Sequence, residues 1–278
     1  MRIKLSQQIQ GNFPSKKTVG KSFLQALILI ANFPVANAQL PAKQVNHQTQ
    51  FWTSINSTTR ISNRWAIIGD FHVRRNNGVK DPSFYLLRVA PQFAVFPNFT
   101  VAAGYAHMWI APSRTDWQAF AREHRLYQQA IFTTKLGQTN LLQRIRNEQR
   151  WQQIIVNDMP TGNWRFTNRV RYLISVTIPV SKNEWVPKPV VAEEILIHFG
   201  KPVVYNTFDQ NRLFLGIRQK LGKNLNFDFG YMNVYQQKYS GYQYDLNHTI
   251  RLFFYYTPDL RKGTKEKKPH IITENPGA

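Results

Sequence analysis

The sequence predicts an all-β protein: an antiparallel up-and-down transmembrane β-barrel of about twelve strands, with ten as the other count considered, preceded by a signal peptide. Three observations predict it. The amino-terminal segment is apolar and ends in an Ala-x-Ala site, the rest breaks into aromatic-rich runs of strand length, and charged and apolar residues alternate within those runs.

Lys16, Lys17 and Lys21 precede SFLQALILIANFPVANA, which ends in Ala36-Asn37-Ala38. Basic residues, a short apolar run and small residues at the cut site are the parts of a secretory signal, so cleavage is expected after Ala38. The run from Ser22 to Val35 carries Gln25, Asn32 and Pro34. It is too short and too interrupted for a spanning helix, which needs roughly 20 apolar residues. The expected organisation is a signal peptide over 1–38, a barrel over 39–260 and a basic, disordered tail over 261–278.

After Gln39 no segment is long and apolar enough for a membrane helix, so insertion would require strands that close on themselves and satisfy every backbone group. Runs rich in Phe, Tyr, Trp, Val and Ile predict strands at about 49–60, 65–76, 83–96, 99–111, 123–136, 141–155, 164–179, 189–199, 211–221, 225–237 and 244–257. Tight turns are expected near Ser62-Asn63, Pro97-Asn98, Gly137 to Asn140 and Gly222 to Asn224. Longer connections such as RRNNGVKDPS, IAPSRTDWQAFA, NDMPTGN and GKPVVYNTFDQ alternate with them, as in a barrel whose tight turns face the periplasm. SKNEWVPKP, where a tight turn is due, is the least regular connection. Eleven runs conflict with the even count of a bacterial barrel whose two ends share one side. A twelfth strand is therefore sought around 39–47 or 203–208.

Alternation is the stronger signal, because a wall with apolar surroundings and a polar interior must change polarity at each residue. Arg144, Arg146, Glu148 and Arg150 share one face. Arg165, Arg169 and Arg171 share another, opposite Phe166, Val170, Tyr172 and Ile174. Leu213, Leu215, Ile217 and Leu221 oppose Arg212, Arg218 and Lys220; Leu246, Ile250, Leu252, Phe254 and Tyr256 oppose Asp245, Asn247, Thr249 and Arg251. Periodicity alone does not say which face points inward, so a soluble barrel or sandwich with an apolar core stays open. Trp109, Trp151, Trp164, Trp185, Tyr255 and Tyr256 fall where an interfacial girdle would lie, and the patches Phe51-Trp52, Phe84-Tyr85 and Phe253 to Tyr256 are expected to face lipid or the interface.

The segments NHQTQFWTSINSTTRISNRWAIIGDFHVRRN, FYLLRVAPQF, EHRLYQQAIF, RIRNEQRW, RFTNRVRYLISVTIP and FDQNRLFLGI occur in order between about Val45 and Pro258. In these the chain resembles the bacterial domain of unknown function 2490 family. The resemblance implies an outer-membrane β-barrel and brings no activity or catalytic residue with it.

The formal charge of +21 suggests a nucleic-acid partner at first sight. The first 38 residues carry a net +5 and residues 261–278 a net +3, leaving +13 for the barrel region, much of it at every second residue of strands. That spacing disfavours a nucleic-acid groove. The expected partners are outer-membrane lipid and the barrel assembly machinery, with the chain a monomer.

The densest constellation is Glu123, Arg125, Arg144, Arg146, Glu148, Arg150, Arg165, Arg169 and Arg171, joined by Glu194 (or Glu193) and Arg212. Guanidinium forks gripping carboxylates would fill and stiffen a narrow lumen. An excess of Arg would equally suit a small anion-permeable channel. A lipid-modifying enzyme would need a His within reach of a hydroxyl. His107 and His124, with Ser113 and Asp116 in the loop between them, are the best placed, but no nucleophile motif accompanies them. No cysteine is present and no His and carboxylate residues fall at metal-ligand spacing, so neither metal nor cofactor is expected.

Overall fold

The computed structural model describes residues 42–261 apart from 113, 115 and 205. The expected signal peptide and all but Arg261 of the expected tail lie outside these residues. Eleven strands form one closed barrel: β1 (Gln44–Arg60), β2 (Trp65–Asn76), β3 (Asp81–Phe96), β4 (Phe99–Ile110), β5 (Ala121–Leu136), β6 (Thr139–Val156), β7 (Met159–Thr177), β8 (Lys188–Phe199), β9 (Phe208–Gly222), β10 (Leu225–Gln237) and β11 (Gln243–Tyr256).

Each strand pairs antiparallel with the next, and the ring closes where β1 meets β11 in parallel, from Gln44–Gln243 to Ser57–Tyr256. The expected twelfth strand is not found among the described residues. Residues 44–47 belong to the start of β1, Phe208 opens β9, and Val203 and Val204 lie in the connection before it. Parity explains the parallel seam, since an odd number of alternating strands leaves one adjacent pair running the same way. The start of β1 and the end of β11 therefore emerge at opposite rims. The seam is not expected to be weak, because its register is unbroken over the whole overlap.

One rim carries the tight turns at 97–98, 137–138 and 223–224; the other carries the connections at 111–120, 200–207 and 238–242. Two connections depart from expectation. NDMPTGN is no loop: Asn157 and Asp158, at φ 50° and 60°, form a two-residue turn and Met159–Asn163 are already strand. Successive left-handed residues match the twist of a hairpin, and Asn and Asp tolerate that region better than other side chains. SKNEWVPKP does form a long connection on the tight-turn rim, where Glu184 accepts a hydrogen bond from Lys220 and is held below the usual carboxylate range by it.

The period-two pattern orients the wall. Charged residues of the alternating series are buried inside, and the aliphatic series faces out: Leu87 is 52% exposed, Ile145 52%, Leu215 50% and Phe229 47%. Side chains outside that are polar find one another, as where the amides of Gln128 and Gln149 hydrogen-bond at 3.2 Å and Tyr172 donates to Gln143 at 2.6 Å. Towards the tight-turn rim the interior holds an apolar cluster that includes Leu142, Leu173, Val190, Phe214 and Phe253, beside the buried charges Arg218, Asp228 and Arg251. Two close strand approaches need glycine. A Cβ on Gly104 would run into the carbonyl of Val89 and the Cβ of Ala90, and Gly216 faces Gly230 across β9 and β10 with no room for a side chain on either.

Candidate functional site

The site is built on the inward faces of β5 to β9. Antiparallel register sets Glu148 opposite Arg169, Arg146 opposite Arg171, and Glu194 opposite Arg212. Because side chains two apart in a strand share a face, the inward column of β6 alone supplies Arg144, Arg146, Glu148 and Arg150. Three carboxylates act as hubs. Glu123 accepts from Arg150 through both oxygens, at 2.9 and 3.1 Å, and from Arg125 at 2.5 Å. Glu148 accepts from Arg169 and from Arg171, with Arg125 at 3.6 Å and Arg146 at 3.8 Å. Glu194 accepts a fork from Arg171, at 2.9 and 2.7 Å, together with Arg144 at 2.8 Å and Arg212 at 3.1 Å.

These contacts join ten of the eleven residues singled out from the sequence into one connected lattice. Arg165 is the exception and a correction. It shares the inward face but lies near the far end of the β6–β7 hairpin, half-buried, with its guanidinium 4.3 Å from the ring centre of Tyr239. Glu194 holds its partners along the wall, while Glu193 points outward and accepts from Asn211 at 3.0 Å.

Sequence reasoning missed several members. Asp209 extends the lattice, accepting from Arg169 at 3.1 Å. Asp70 pairs with Arg88 on the neighbouring strand, and Asp228 holds Arg218, Arg251 and the hydroxyl of Tyr255, the last at 3.1 Å. Arg74 stacks over Trp52, 3.3 Å from its ring centre, and lies 4.3 Å from that of Phe84. Trp52, Phe84, Phe253 and Tyr255 are thus on the inside of the barrel, and the expectation that they lie at a lipid interface is corrected. The signal was available, because in each aromatic pair one partner must point inward.

The interior is strongly cationic. Among the described residues eleven buried arginines face six buried carboxylates. Buried charge is costly unless compensated, so this excess is a defining property of the site.

The histidines considered for catalysis point away from the lumen. His107 and His124 sit side by side on the outer face of β4 and β5, with the hydroxyl of Tyr105 2.6 Å from His124 Nδ1 and 3.3 Å from His107 Nδ1. Ser113 lies outside the described residues. Among the described residues no group of three or more His, Cys, Asp or Glu is placed to hold a metal ion.

The family model described as Protein of unknown function (DUF2490) matches residues 49–245. The chain belongs to this family. The DUF2490 match runs from within β1 to the first residues of β11, so the family is defined over nearly the whole barrel wall and includes every hub carboxylate of the lattice. No curated protein and no solved structure matches the chain.

Proposed function

We propose that this protein is an integral outer-membrane β-barrel whose lumen is largely filled by its arginine–carboxylate lattice. The observation that carries the reading is the direction of the two faces: charge inside, aliphatic and aromatic residues outside. In water the outer wall would leave a broad apolar surface, interrupted by polar pairs such as Gln128–Gln149 and Glu193–Asn211, whereas soluble monomers rarely expose patches above a few hundred Å². In lipid the same surface is favourable, at roughly 25 cal/mol for each Å² of apolar surface taken from water. Closure of the sheet supports a monomer, since both edges of every strand are paired within the one barrel.

The lattice supports a plug better than an open pore. A barrel of this size holds side chains or one small ligand. The tight-turn half of the lumen is filled as well, by the apolar cluster around Phe214 and Phe253 together with the Asp228–Arg218–Arg251 group. The tight-turn rim is assigned to the periplasm and the other rim to the outside.

The test is heat-modifiable gel mobility of the detergent-extracted outer-membrane fraction. A band that sediments with outer membranes and migrates differently when unboiled is the expected result. Recovery in the soluble periplasmic fraction would overturn the proposal.

A further inference from the structure

Between the arginine wall of β5–β9 and the facing strands β1–β4 lies a cavity of about 440 Å³, within the range of small-molecule sites. It opens among Pro82–Phe84, Ile110–Pro112 and Gln236–Tyr239, at the rim away from the tight turns. Its two sides differ in chemistry. On one, Arg125, Arg150, Arg169, Arg171 and Arg212 line the space, and Arg74 and Arg88 reach it from the other wall. Among the described residues that line it, Asp209 is the sole carboxylate. The hubs Glu123, Glu148 and Glu194 lie behind their arginines and do not line it. On the facing side, Trp52, Phe84, Leu86 and Met108 supply an apolar surface.

Seven guanidiniums line this cavity with one carboxylate, and they outnumber by two the five carboxylates that pair with them, Asp70, Glu123, Glu148, Glu194 and Asp209. An anion entering it would be met by donors already held in position by their own carboxylates, so little ordering is needed on binding. Guanidinium forks match the planar oxygens of a carboxylate or phosphate, and Trp52 and Phe84, one of them already stacked by Arg74, suit an aromatic or aliphatic body.

We propose that this cavity binds a small organic anion, its carboxylate or phosphate against the arginines and its apolar body against Trp52, Phe84 and Met108. The site goes beyond the barrel reading and rests only on the closed fold, so it is testable whether or not the wall sits in a membrane.

The experiment is isothermal titration of the folded full chain in detergent with phenyl phosphate, inorganic phosphate and benzyl alcohol. The expected result is saturable one-site binding of phenyl phosphate, binding of inorganic phosphate at least tenfold weaker, and none of benzyl alcohol. Arg74→Gln should weaken phenyl phosphate at least tenfold. Should that variant fail to fold, Phe84→Glu at the mouth puts a competing carboxylate beside the same arginine and should abolish binding. Absence of saturable phenyl phosphate binding overturns the proposal, as does unchanged affinity in the folded variant. Equal affinity for inorganic phosphate overturns the role of the apolar wall.

Discussion

Arg171 on β7 grips Glu194 on β8 with a two-pronged fork, Nε to Oε1 at 2.9 Å and Nη2 to Oε2 at 2.7 Å, while its third nitrogen reaches Glu148 at 2.9 Å. Arg171 thus links two hubs of the lattice. Glu194→Gln would leave Arg144, Arg171 and Arg212 buried without their shared anion. The expected cost is about 3–5 kcal/mol, the usual penalty for breaking a buried pair from one side. Arg171→Lys keeps the charge but loses the fork, and should cost less than Glu194→Gln. Urea unfolding in detergent, followed by tryptophan fluorescence, measures both; a loss below about 1 kcal/mol for Glu194→Gln would show that the lattice does not hold the barrel together.

Much of this lattice was legible because strand periodicity fixes which residues share a face. Arg144, Arg146, Glu148 and Arg150 needed only a count by two. Asp70, Asp209 and Asp228 were not legible, since none stands within a run of charges at every second residue as Glu148 does, and the partner of each is chosen by register. Register depends on turns such as Asn157-Asp158, whose sequence surroundings resembled a longer loop. The eleven runs counted in the sequence are the eleven strands; the twelfth was added by the even-number rule, because the parallel meeting of β1 and β11 joins segments about 200 residues apart and no local pattern announces it. Trp52 and Tyr255 were misplaced because aromatic character was weighed above the alternation that had worked for the charges.

Gly230 and Gly69 separate close strand approach from ordinary strand propensity. A Cβ on Gly230 would strike the carbonyl of Leu215 and stand 2.5 Å from Gly216 Cα, whereas nothing lies within 4 Å of one on Gly69. Gly230→Ala should force β9 and β10 apart and destabilise by about 1–3 kcal/mol, the range for overpacking. Gly69→Ala should stay within about 0.5 kcal/mol of the parent, as surface changes usually do. The same urea series decides, and equal effects at the two sites would mean that the close approach of β9 and β10 at Gly230 carries no constraint.

Leu215 lies at the middle of β9 on the outer face, and Leu221 lies near its tight-turn end on the same face. If the wall sits in a bilayer, Leu215→Arg should cost about 2–4 kcal/mol in lipid vesicles and Leu221→Arg about 0–1 kcal/mol, because the penalty follows depth. A water-facing wall would accept both without loss. The depth dependence is therefore the quantity to read, and a flat response would overturn the membrane reading.

Asp259, just beyond β11, accepts from Arg261 at 2.8 and 2.7 Å and lies 3.9 Å from Arg60. Those hydrogen bonds from Arg261 hold its carboxyl down to about 2. The folded value lies below the ordinary one of about 3.9, so the contribution to order is complete above about pH 4 and is lost as pH falls through about 2. Carboxyl carbon chemical shifts should titrate with a midpoint near 2 and move up towards 4 in Arg261→Gln. A midpoint near 4 in the parent would mean that the Arg261 grip does not persist in solution.

A wall that includes β1 puts the start of that strand at the rim opposite the tight turns. Lys43 immediately precedes β1 and Lys223 lies in the turn between β9 and β10, and the strand order places them at opposite rims. The chain has no cysteine, so Lys43→Cys and Lys223→Cys each carry a unique thiol. With tight turns in the periplasm, a membrane-impermeant maleimide should label the thiol at 43 in intact cells and the thiol at 223 only after the outer membrane is permeabilised. Labelling of both from the same side would mean that β1 does not run antiparallel to β2 in the wall, leaving the ten strands β2–β11 to close the barrel.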